Sequence, residues 1–324
     1  MEIKQTKNVA KFIGVLSEKA LDIEAGSIKD ANGKEIPCEI VKGTITVKTD
    51  NGVFPLRVYS ASKKKDKSEN KMFKGLKTIA EQYISEVDAA KDDSVEANVV
   101  DCNVKININD YVGQDGNVKT TTQMSLNSAK RVTADVEHTT DIAMVGYIGA
   151  IKPEINKDDE ETGRLMVTFV TVGYGGRAEP YTLYVDTDLA DDFEDMYEVG
   201  QTAELYLSAT MRHVGAKTTA QAGFGRKAKV NSGYDVMELV VIGGEPPYED
   251  EEDDDGNSLA LDRKTIKKLM EEREMYLENL KTEKKDTKKE TKSKKSGLSS
   301  RKAKVEEAPF DVDDEDMDDV DDLF

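Results

Sequence analysis

The feature that most constrains the fold is an order of secondary structure that the chain shows twice. Each of two successive parts contains three predicted strands, one predicted helix and two further strands. Strands are predicted where apolar and polar residues alternate, because successive side chains of a strand point to opposite faces. Helices are predicted where apolar residues recur every three or four positions. We therefore expect the chain to build one kind of small β-domain twice.

The first part contains a strong hairpin signal between its second and third strands. The turn is Asp50-Asn51-Gly52, and Asn-Gly tolerates the positive φ angles of a tight turn at little cost. A helical pattern at residues 73–87 follows the third strand, with its apolar residues on one side. The five predicted strands lie at residues 12–16, 44–48, 54–59, 100–108 and 118–126.

The second part repeats this order with different residues. A turn at residues 174–177 joins its second and third strands, and a short helical stretch follows at residues 189–197. The five predicted strands lie at residues 142–151, 165–172, 181–185, 203–211 and 236–242. This order is that of the OB-fold, a five-stranded Greek-key barrel with a helix between its third and fourth strands.

The predicted fold is therefore mainly β, with tandem OB-fold barrels. The first barrel is expected at residues 1–130 and the second at residues 138–247. Two unrelated small β-domains, or a single β-sandwich, are the alternatives that the same strands allow. An order found twice favours the tandem barrels, because neither alternative requires the repetition.

The composition changes abruptly after Pro246-Pro247. An acidic linker at residues 248–257 leads into an amphipathic helix predicted at residues 258–280. Such a helix is expected either to pack back on its own protein or to pair with a second copy of the chain. Residues 281–305 form a basic, low-complexity tether predicted to be disordered, and residues 306–324 form an acidic tip.

The chain carries no recognisable catalytic signal. It has no Gly-Lys-Ser/Thr phosphate loop, and Cys38 and Cys102 lack the spacing of a zinc site or a redox pair. We predict no enzyme, no metal and no cofactor. No stretch approaches the roughly 20 apolar residues that cross a bilayer, and no signal-peptide core is present. A cytoplasmic protein without a membrane partner is expected.

One face of the first barrel is a candidate for binding nucleic acid. The net charge of −19 does not decide the matter, because the distribution of the charges determines which surface is basic. OB-folds that bind single strands stack bases on aromatic side chains and hold phosphates with cations, on one barrel face and adjoining loops. The same residues would also suit an ordinary solvated surface. The candidates in this barrel are Arg57, Tyr59, Lys63, Lys64, Lys65, Lys105 and Lys119.

The second barrel has a long basic connector between its fourth and fifth strands. Residues 214–233 are too many for a simple hairpin turn, and they contain no acid. Such a loop could close over a strand of DNA, whereas an insertion without a role is the alternative. The candidates here are Arg212, Lys217, Phe224, Arg226, Lys227 and Lys229.

The acidic tip combines repelling charges with an apolar end. Residues 306–324 hold eleven Asp or Glu and no Lys or Arg, and they finish on Leu323-Phe324. A run of carboxylates does not fold on itself, but a partner with a pocket and surrounding basic residues could capture it. A merely solubilising tail is the alternative. The predicted partner-binding residues are Asp318, Asp319, Asp321, Asp322, Leu323 and Phe324.

Together, the repeated topology and this tip resemble a phage or plasmid single-stranded-DNA-binding protein of the OB-fold type. In the bacterial proteins a proline precedes the final phenylalanine, and Leu323 takes that place here. The resemblance implies binding of single-stranded DNA with little sequence preference during replication, recombination and repair, in a bacterial or phage-infected cell. It also implies that the tip recruits a polymerase, helicase, primase, recombinase or nuclease. The alternative is a non-enzymatic accessory platform for a clamp or polymerase, with a DNA-mimicking tail.

Overall fold

The computed structural model describes residues 4–92, 94–156, 159–214, 233–249 and 258–293, with side chains described as far as residue 282. The chain divides into two compact units, Met1–Lys281 and Thr282–Phe324. The first unit contains both β-barrels. No helix in the described part of the chain is long and apolar enough to cross a membrane.

The first barrel is closed by five strands in the order β1-β2-β3-β5-β4-β1. Strands β3 and β5 run parallel where Arg57 faces Ser125, and the other neighbours are antiparallel. Its elements are β1 (Asn8–Lys29), β2 (Glu35–Thr49), β3 (Gly52–Ala61), α1 (Lys71–Gln82), α2 (Glu86–Ala89), β4 (Val99–Val112) and β5 (Val118–Val132).

The second barrel repeats this arrangement as β6-β7-β8-β10-β9-β6, again with the third and fifth strands parallel. Its elements are β6 (Thr140–Ile155), β7 (Glu161–Gly173), a 3₁₀ turn (Tyr174–Gly176), β8 (Arg177–Val185), α3 (Ala190–Met196), β9 (Thr202–Val214) and β10 (Tyr234–Gly244). A closed barrel of this strand order with a helix between its third and fourth strands is an OB-fold. The predicted tandem OB-folds are therefore confirmed.

Alternation along the strands fills each barrel with apolar side chains. In the first barrel Phe12 and Phe54 meet edge to face, with ring centroids 5.3 Å apart. Val100, Cys102, Val104 and Ile106 of β4 are buried, as their spacing predicts. The next two residues depart from the alternation: the polar Asn107 is buried, and the apolar Ile108 is only half-buried. Here β4 runs along the second barrel, and Tyr181 Oη of β8 lies 3.0 Å from the backbone oxygen of Ile106.

The helix predicted at residues 73–87 is interrupted. Helix α1 ends at Gln82, because Tyr83 takes an extended conformation with ψ of 146°. Ser85 then caps α2: its side chain accepts from the Asp88 backbone, and the Asp88 side chain accepts from the Ser85 backbone. Val87, which the pattern placed with the buried residues, is 49% exposed. Capping thus outweighs the apolar spacing at this point.

Strand β1 is much longer than the predicted residues 12–16. A register shift between Leu16 and Glu18 interrupts the pairing with β2, which then continues to Lys29 opposite Glu35. The shift breaks the strict alternation by which a strand is recognised in a sequence. Beyond it, β1 and β2 form an arm whose tip is residues 30–34.

The two barrels are joined through backbone pairing and one hairpin tip. Residues 8–12 of β1 pair with residues 140–144 of β6. The β2–β3 turn reaches the second barrel, where Asn51 Nδ2 donates to Thr140 Oγ1 (3.0 Å) and Ser208 Oγ (2.8 Å). Gly52 has φ of +141°, and a Cβ there would lie 2.6 Å from Met211 Cγ. Glycine is therefore needed both for the turn and for the close approach.

Helix α4 (Arg263–Ser293) begins later and ends later than the predicted helix at residues 258–280. Asp262 caps its first turn by accepting from the backbone nitrogens of Lys264 and Thr265 (2.8 and 3.0 Å). The helix packs back on its own chain, the first of the two expectations. Its buried Ile266 and Leu269 lie against Tyr147, Val170, Val172 and Ala178 of the second barrel.

A buried ion pair connects α4 to the first barrel. Arg273 Nη2 lies 2.7 Å from Asp110 Oδ1 of β4, and the two side chains are only 11% and 7% exposed. Asp110 also accepts from Thr120 Oγ1 (2.6 Å). Removing one partner of a buried pair leaves the other charge uncompensated, which costs about 3–5 kcal/mol.

We expect Arg273→Ala to lower the free energy of unfolding by about 3 kcal/mol in urea titrations. The matched control is Lys267→Ala on the same helix, where the pair with Glu271 (3.9 Å) is exposed. Breaking that pair should change the free energy by less than about 1 kcal/mol. Equal effects of the two substitutions would show that the Arg273–Asp110 pair does not fasten α4.

Candidate nucleic-acid interface

The outer side of β2 and β3 forms a continuous strip of polar side chains, here called the β2–β3 face. Residues paired in register lie side by side on one face of a sheet. In an OB-fold this face and the adjoining loops take oligonucleotides. The paired residues that compose it are Lys42 with Tyr59, Thr44 with Arg57, Thr46 with Pro55, and Lys48 with Val53.

The interior of the barrel dictates which side chains reach this face. Ile45 and Val47 of β2 are almost fully buried, as are Phe54, Leu56 and Val58 of β3. Because side chains alternate, the residues between them must point outward. Arg57 and Tyr59 accordingly lie on the outer side and are half-buried, in the orientation that the alternation predicts. Whether they contact DNA stays a prediction.

Lys42 and Lys48 belong to this face and were missed in the sequence. Their signal was the alternation of β2, in which Thr44 and Thr46 lie outward between buried residues. The tight turn at Asn51 fixes the register of the hairpin and so places Lys42 opposite Tyr59. Reading that register from the turn would have identified both lysines.

The two lysines are held by weak, exposed ion pairs. Lys42 Nζ lies 2.7 Å from Glu24 Oε1, and Lys48 Nζ lies 3.4 Å from Glu86 Oε1. All four side chains are more than one third exposed. Solvated pairs of this kind contribute only about 0–1 kcal/mol. A phosphate could therefore replace either carboxylate at little cost.

The lysine-rich loop follows directly after β3, at the Tyr59 end of the face. Lys63 and Lys65 are exposed, Lys64 is half-buried, and Lys63 bridges to Glu69 through the backbone. Residues 40–65, which cover most of β2, all of β3 and the first three lysines of this loop, hold six Lys or Arg and one Asp, a net charge of +5. The face and its loop are thus basic in a chain that is acidic as a whole.

Lys105 lies in the seam between the barrels rather than on the β2–β3 face. It is half-buried, and its charge acts on Glu179 of β8. The pKa of the Glu179 carboxyl is raised because the group is buried; the hydrogen bond from Tyr181 Oη (2.9 Å) and the charges of Lys105 and Arg273 act in the opposite direction. Among the described residues, the buried amide nitrogen Asn107 Nδ2 of β4 lacks a hydrogen-bond partner.

Lys119 lies near the turn of the β4–β5 ribbon. It is exposed, pairs in register with Tyr111, and its Nζ is 3.8 Å from Asp115 Oδ2. The ribbon turns at residues 113–117. In an OB-fold this loop between the fourth and fifth strands borders the ligand face.

Arg212 takes part in a network of charges instead of standing alone. Its Nε lies 2.8 Å from Glu238 Oε1, and its Nη1 lies 3.2 Å from Glu154 Oε1. Arg164 reaches the second oxygens of both carboxylates (3.1 and 3.5 Å), and its Nε lies 2.7 Å from Asp186. Glu238 and Glu154 are buried. The guanidinium of Arg212 therefore neutralises buried carboxylates, which the sequence did not indicate.

The remaining candidates lie outside the described residues. These are the connector residues Lys217, Phe224, Arg226, Lys227 and Lys229. The tip residues Asp318, Asp319, Asp321, Asp322, Leu323 and Phe324 lie outside them as well. Across the described ranges, no group of three or more His, Cys, Asp or Glu is placed to hold a metal ion.

The corresponding outer side of β7 and β8, here called the β7–β8 face, differs in chemistry. Its paired residues are Met166 with Tyr184, Thr168 with Thr182, Val170 with Pro180, and Val172 with Ala178. Helix α4 covers Val170, Val172 and Ala178. The guanidinium of Arg164 lies over the ring of Tyr184, 4.8 Å from its centroid.

Comparisons with known proteins give one family and a distant likeness. A family model described as YorF matches residues 7–283. The wild-type single-stranded DNA binding protein from Thermus aquaticus is similar at 8% identity with a TM-score of 0.40, covering 77% of this chain and 97% of that chain. A deletion mutant of it gives 10% identity and a TM-score of 0.39, covering 77% and 98%. No curated protein matches the sequence. The strand order itself shows the OB-fold.

We expect Lys105→Met to raise the pKa of Glu179 further, because a positive charge that favours the carboxylate is lost. The pKa of this group in the folded protein lies above its value of about 4.3 in an unfolded chain. Its stabilising contribution is therefore full below that pH and is lost as the pH rises through the folded pKa. Urea unfolding at a series of pH values measures this loss. In the variant, the free energy of unfolding should continue to fall up to a higher pH than in the unaltered chain.

The control for this measurement is Lys119→Met at the exposed end of the ribbon. It should leave the pH dependence of the unfolding free energy unchanged, because Lys119 pairs with Asp115 and not with Glu179. A pH profile of Lys105→Met that coincides with that of the control would contradict the placement of Lys105 beside Glu179.

Proposed function

The chain belongs to the YorF family, and we propose that it binds single-stranded DNA along the β2–β3 face of its first barrel. The observation that carries this proposal is that Tyr59 pairs with Lys42 on the β2–β3 face, and that Arg57 lies two residues before Tyr59 on the same strand. In OB-folds this face takes oligonucleotides. The net charge of +5 over residues 40–65 supports it.

Each type of residue on the face would have a defined role. The ring of Tyr59 would stack on a base, and the cations of Lys42, Lys48 and Arg57 would bind successive phosphates. The hydroxyl groups of Thr44 and Thr46 could donate hydrogen bonds to phosphate or base oxygens. Stacking tolerates any base, because every base has a π-face, so little sequence preference is expected.

The form of this face favours a single strand over a duplex. In duplex DNA the bases are stacked on each other and a ring such as that of Tyr59 cannot reach their faces. A duplex would therefore use only the cations, whereas an unpaired strand would use the cations and the ring together. Lys63, Lys64 and Lys65 would extend the phosphate contacts beyond the end of β3.

We further propose that this binding serves replication, recombination or repair, and that the acidic tip recruits enzymes of these processes. The support is compositional: Asp318, Asp319, Asp321 and Asp322 stand beside the apolar Leu323 and Phe324. A ring that fills a pocket while carboxylates meet basic residues is an effective docking peptide. A polymerase, helicase, primase, recombinase or nuclease would be the partner.

The DNA-binding proposal predicts a preference and a salt dependence that fluorescence anisotropy can measure. Oligo(dT) should bind more tightly than duplex DNA of the same length. The logarithm of its affinity should fall with the logarithm of salt concentration at about −0.7 per phosphate neutralised. Arg57→Gln should weaken binding and reduce the slope by about 0.7, because one phosphate contact is lost.

The control for Arg57→Gln is Lys267→Gln, which removes an exposed cation from α4 far along the chain from the face. It should leave both the affinity and the slope unchanged. Equal affinity for oligo(dT) and duplex DNA would contradict the proposal and favour the accessory platform. RNA of the same length tests whether the sugar is recognised.

The recruitment proposal predicts that the two terminal apolar residues are required for capture of a partner. The full chain carrying Leu323→Ala and Phe324→Ala should lose the replication or recombination enzyme that the unaltered chain retains on a column. Its affinity for oligo(dT) should be unchanged, because no charge is altered. Retention of the same enzyme by both chains would show that the carboxylates, or another surface, make the contact.

A further inference from the structure

The faces of the two barrels are equivalent in register but opposite in chemistry. From this difference we propose that binding of single-stranded DNA is confined to the first barrel, and that α4 is the resident occupant of the equivalent face in the second. The inference rests on the proposed function and extends it by assigning the site to one of two similar barrels.

The strand pairings establish the equivalence position by position. Each face is formed by the hairpin of the second and third strands of its barrel, and each carries a tyrosine at the same place. Four pairs correspond: Lys42 and Tyr59 to Met166 and Tyr184, Thr44 and Arg57 to Thr168 and Thr182, Thr46 and Pro55 to Val170 and Pro180, and Lys48 and Val53 to Val172 and Ala178.

One half of the β7–β8 face is closed to solvent. The positions of Thr46 and Lys48 are occupied by Val170 and Val172, and these two residues and Ala178 are at most 3% exposed. Ile266 and Leu269 of α4 lie directly on them. A strand of DNA cannot contact side chains that a helix covers, and valine offers no group that binds phosphate.

The other half of this face is open but carries the wrong charge for phosphate. The guanidinium of Arg164 lies over the ring of Tyr184, and it occupies the face of the ring on which a base would stack. Arg164 in turn pairs with Glu154, Glu238 and Asp186. Residues 164–190, which correspond to residues 40–65, hold two Lys or Arg against three Asp or Glu, a net charge of −1 instead of +5.

Helix α4 is fastened as a part of the fold. Asp262 caps its first turn, the two buried apolar residues anchor its first half, and Arg273 pairs with Asp110 of the first barrel. Arg273 Nη1 also donates to the backbone oxygen of Ala178 (3.4 Å). A helix tied to both barrels holds its position without a ligand, so it excludes DNA from this face permanently.

The equivalence supplies a matched pair of variants for the test. Tyr59→Ala should weaken the binding of oligo(dT) by roughly tenfold or more, the size expected for one stacked base. Tyr184→Ala, at the same place in the second barrel, should change it by less than about twofold. A second pair, Arg57→Glu and Thr182→Glu, tests the same asymmetry with charge and does not depend on the folding of the tyrosine variants.

A third measurement asks whether α4 conceals a DNA site. Leu269→Glu should loosen the helix and lower the melting temperature while leaving the affinity for oligo(dT) within about twofold. Should this variant fail to fold, Arg273→Gln loosens the helix without placing a charge in an apolar contact. A rise in affinity in either variant would overturn the inference, because it would mean that the covered face binds DNA once exposed.

The outcomes separate this inference from the proposed function. Equal losses in Tyr59→Ala and Tyr184→Ala would overturn the confinement to one barrel and leave single-stranded DNA binding intact. Absence of oligo(dT) binding by the unaltered chain would overturn the proposed function, and the inference with it. A loss only in the first-barrel variants supports both.

Discussion

The arrangement of the body depends on the sharing of strand β1 between two barrels. Residues 8–12 pair with β6 on one edge, residues 10–15 pair with β4 on the other, and from Val15 onward β1 pairs with β2. Backbone groups in a barrel must find partners, because an unpaired buried group costs about 1–3 kcal/mol. One strand that satisfies two barrels therefore fixes their relative orientation more firmly than a flexible linker could.

This shared strand decides which outer surfaces remain available. Where the barrels meet, β4 lies against β8, so that the charge of Lys105 acts on Glu179 and Asn107 is buried. The outer side of β4 is thereby used for assembly. The β2–β3 face lies on other strands of the same barrel, and its Lys42 and Lys48 form exposed ion pairs with Glu24 and Glu86. The first barrel thus has two different outer surfaces: β4 packs against the second barrel, and the β2–β3 face is exposed to solvent.

The sequence predicted what depends on local patterns and missed what depends on distant contacts. Alternation identified Val100, Cys102, Val104 and Ile106 as interior, because inward and outward positions follow from strand geometry alone. The repeated order of elements identified both OB-folds. The burial of Asn107 and the pairing of Arg212 with Glu154 and Glu238 arise from residues far apart in the chain. The break after Gln82 was readable from the Ser85 cap, but the apolar spacing concealed it.

The duplicated hairpin shows how one register can serve two purposes. In both barrels the inward residues must be apolar, so only the outward residues are free to differ. In the first barrel Thr46 and Lys48 make the outer side polar, so it stays hydrated. In the second barrel Val170 and Val172 make it apolar, and Ile266 and Leu269 of α4 pack on it. Apolar side chains are buried favourably where the surface releases its water. Cations that bind phosphate must instead stay hydrated until the phosphate replaces that water. The same patch cannot meet both conditions, so the face on which α4 packs is excluded from phosphate binding.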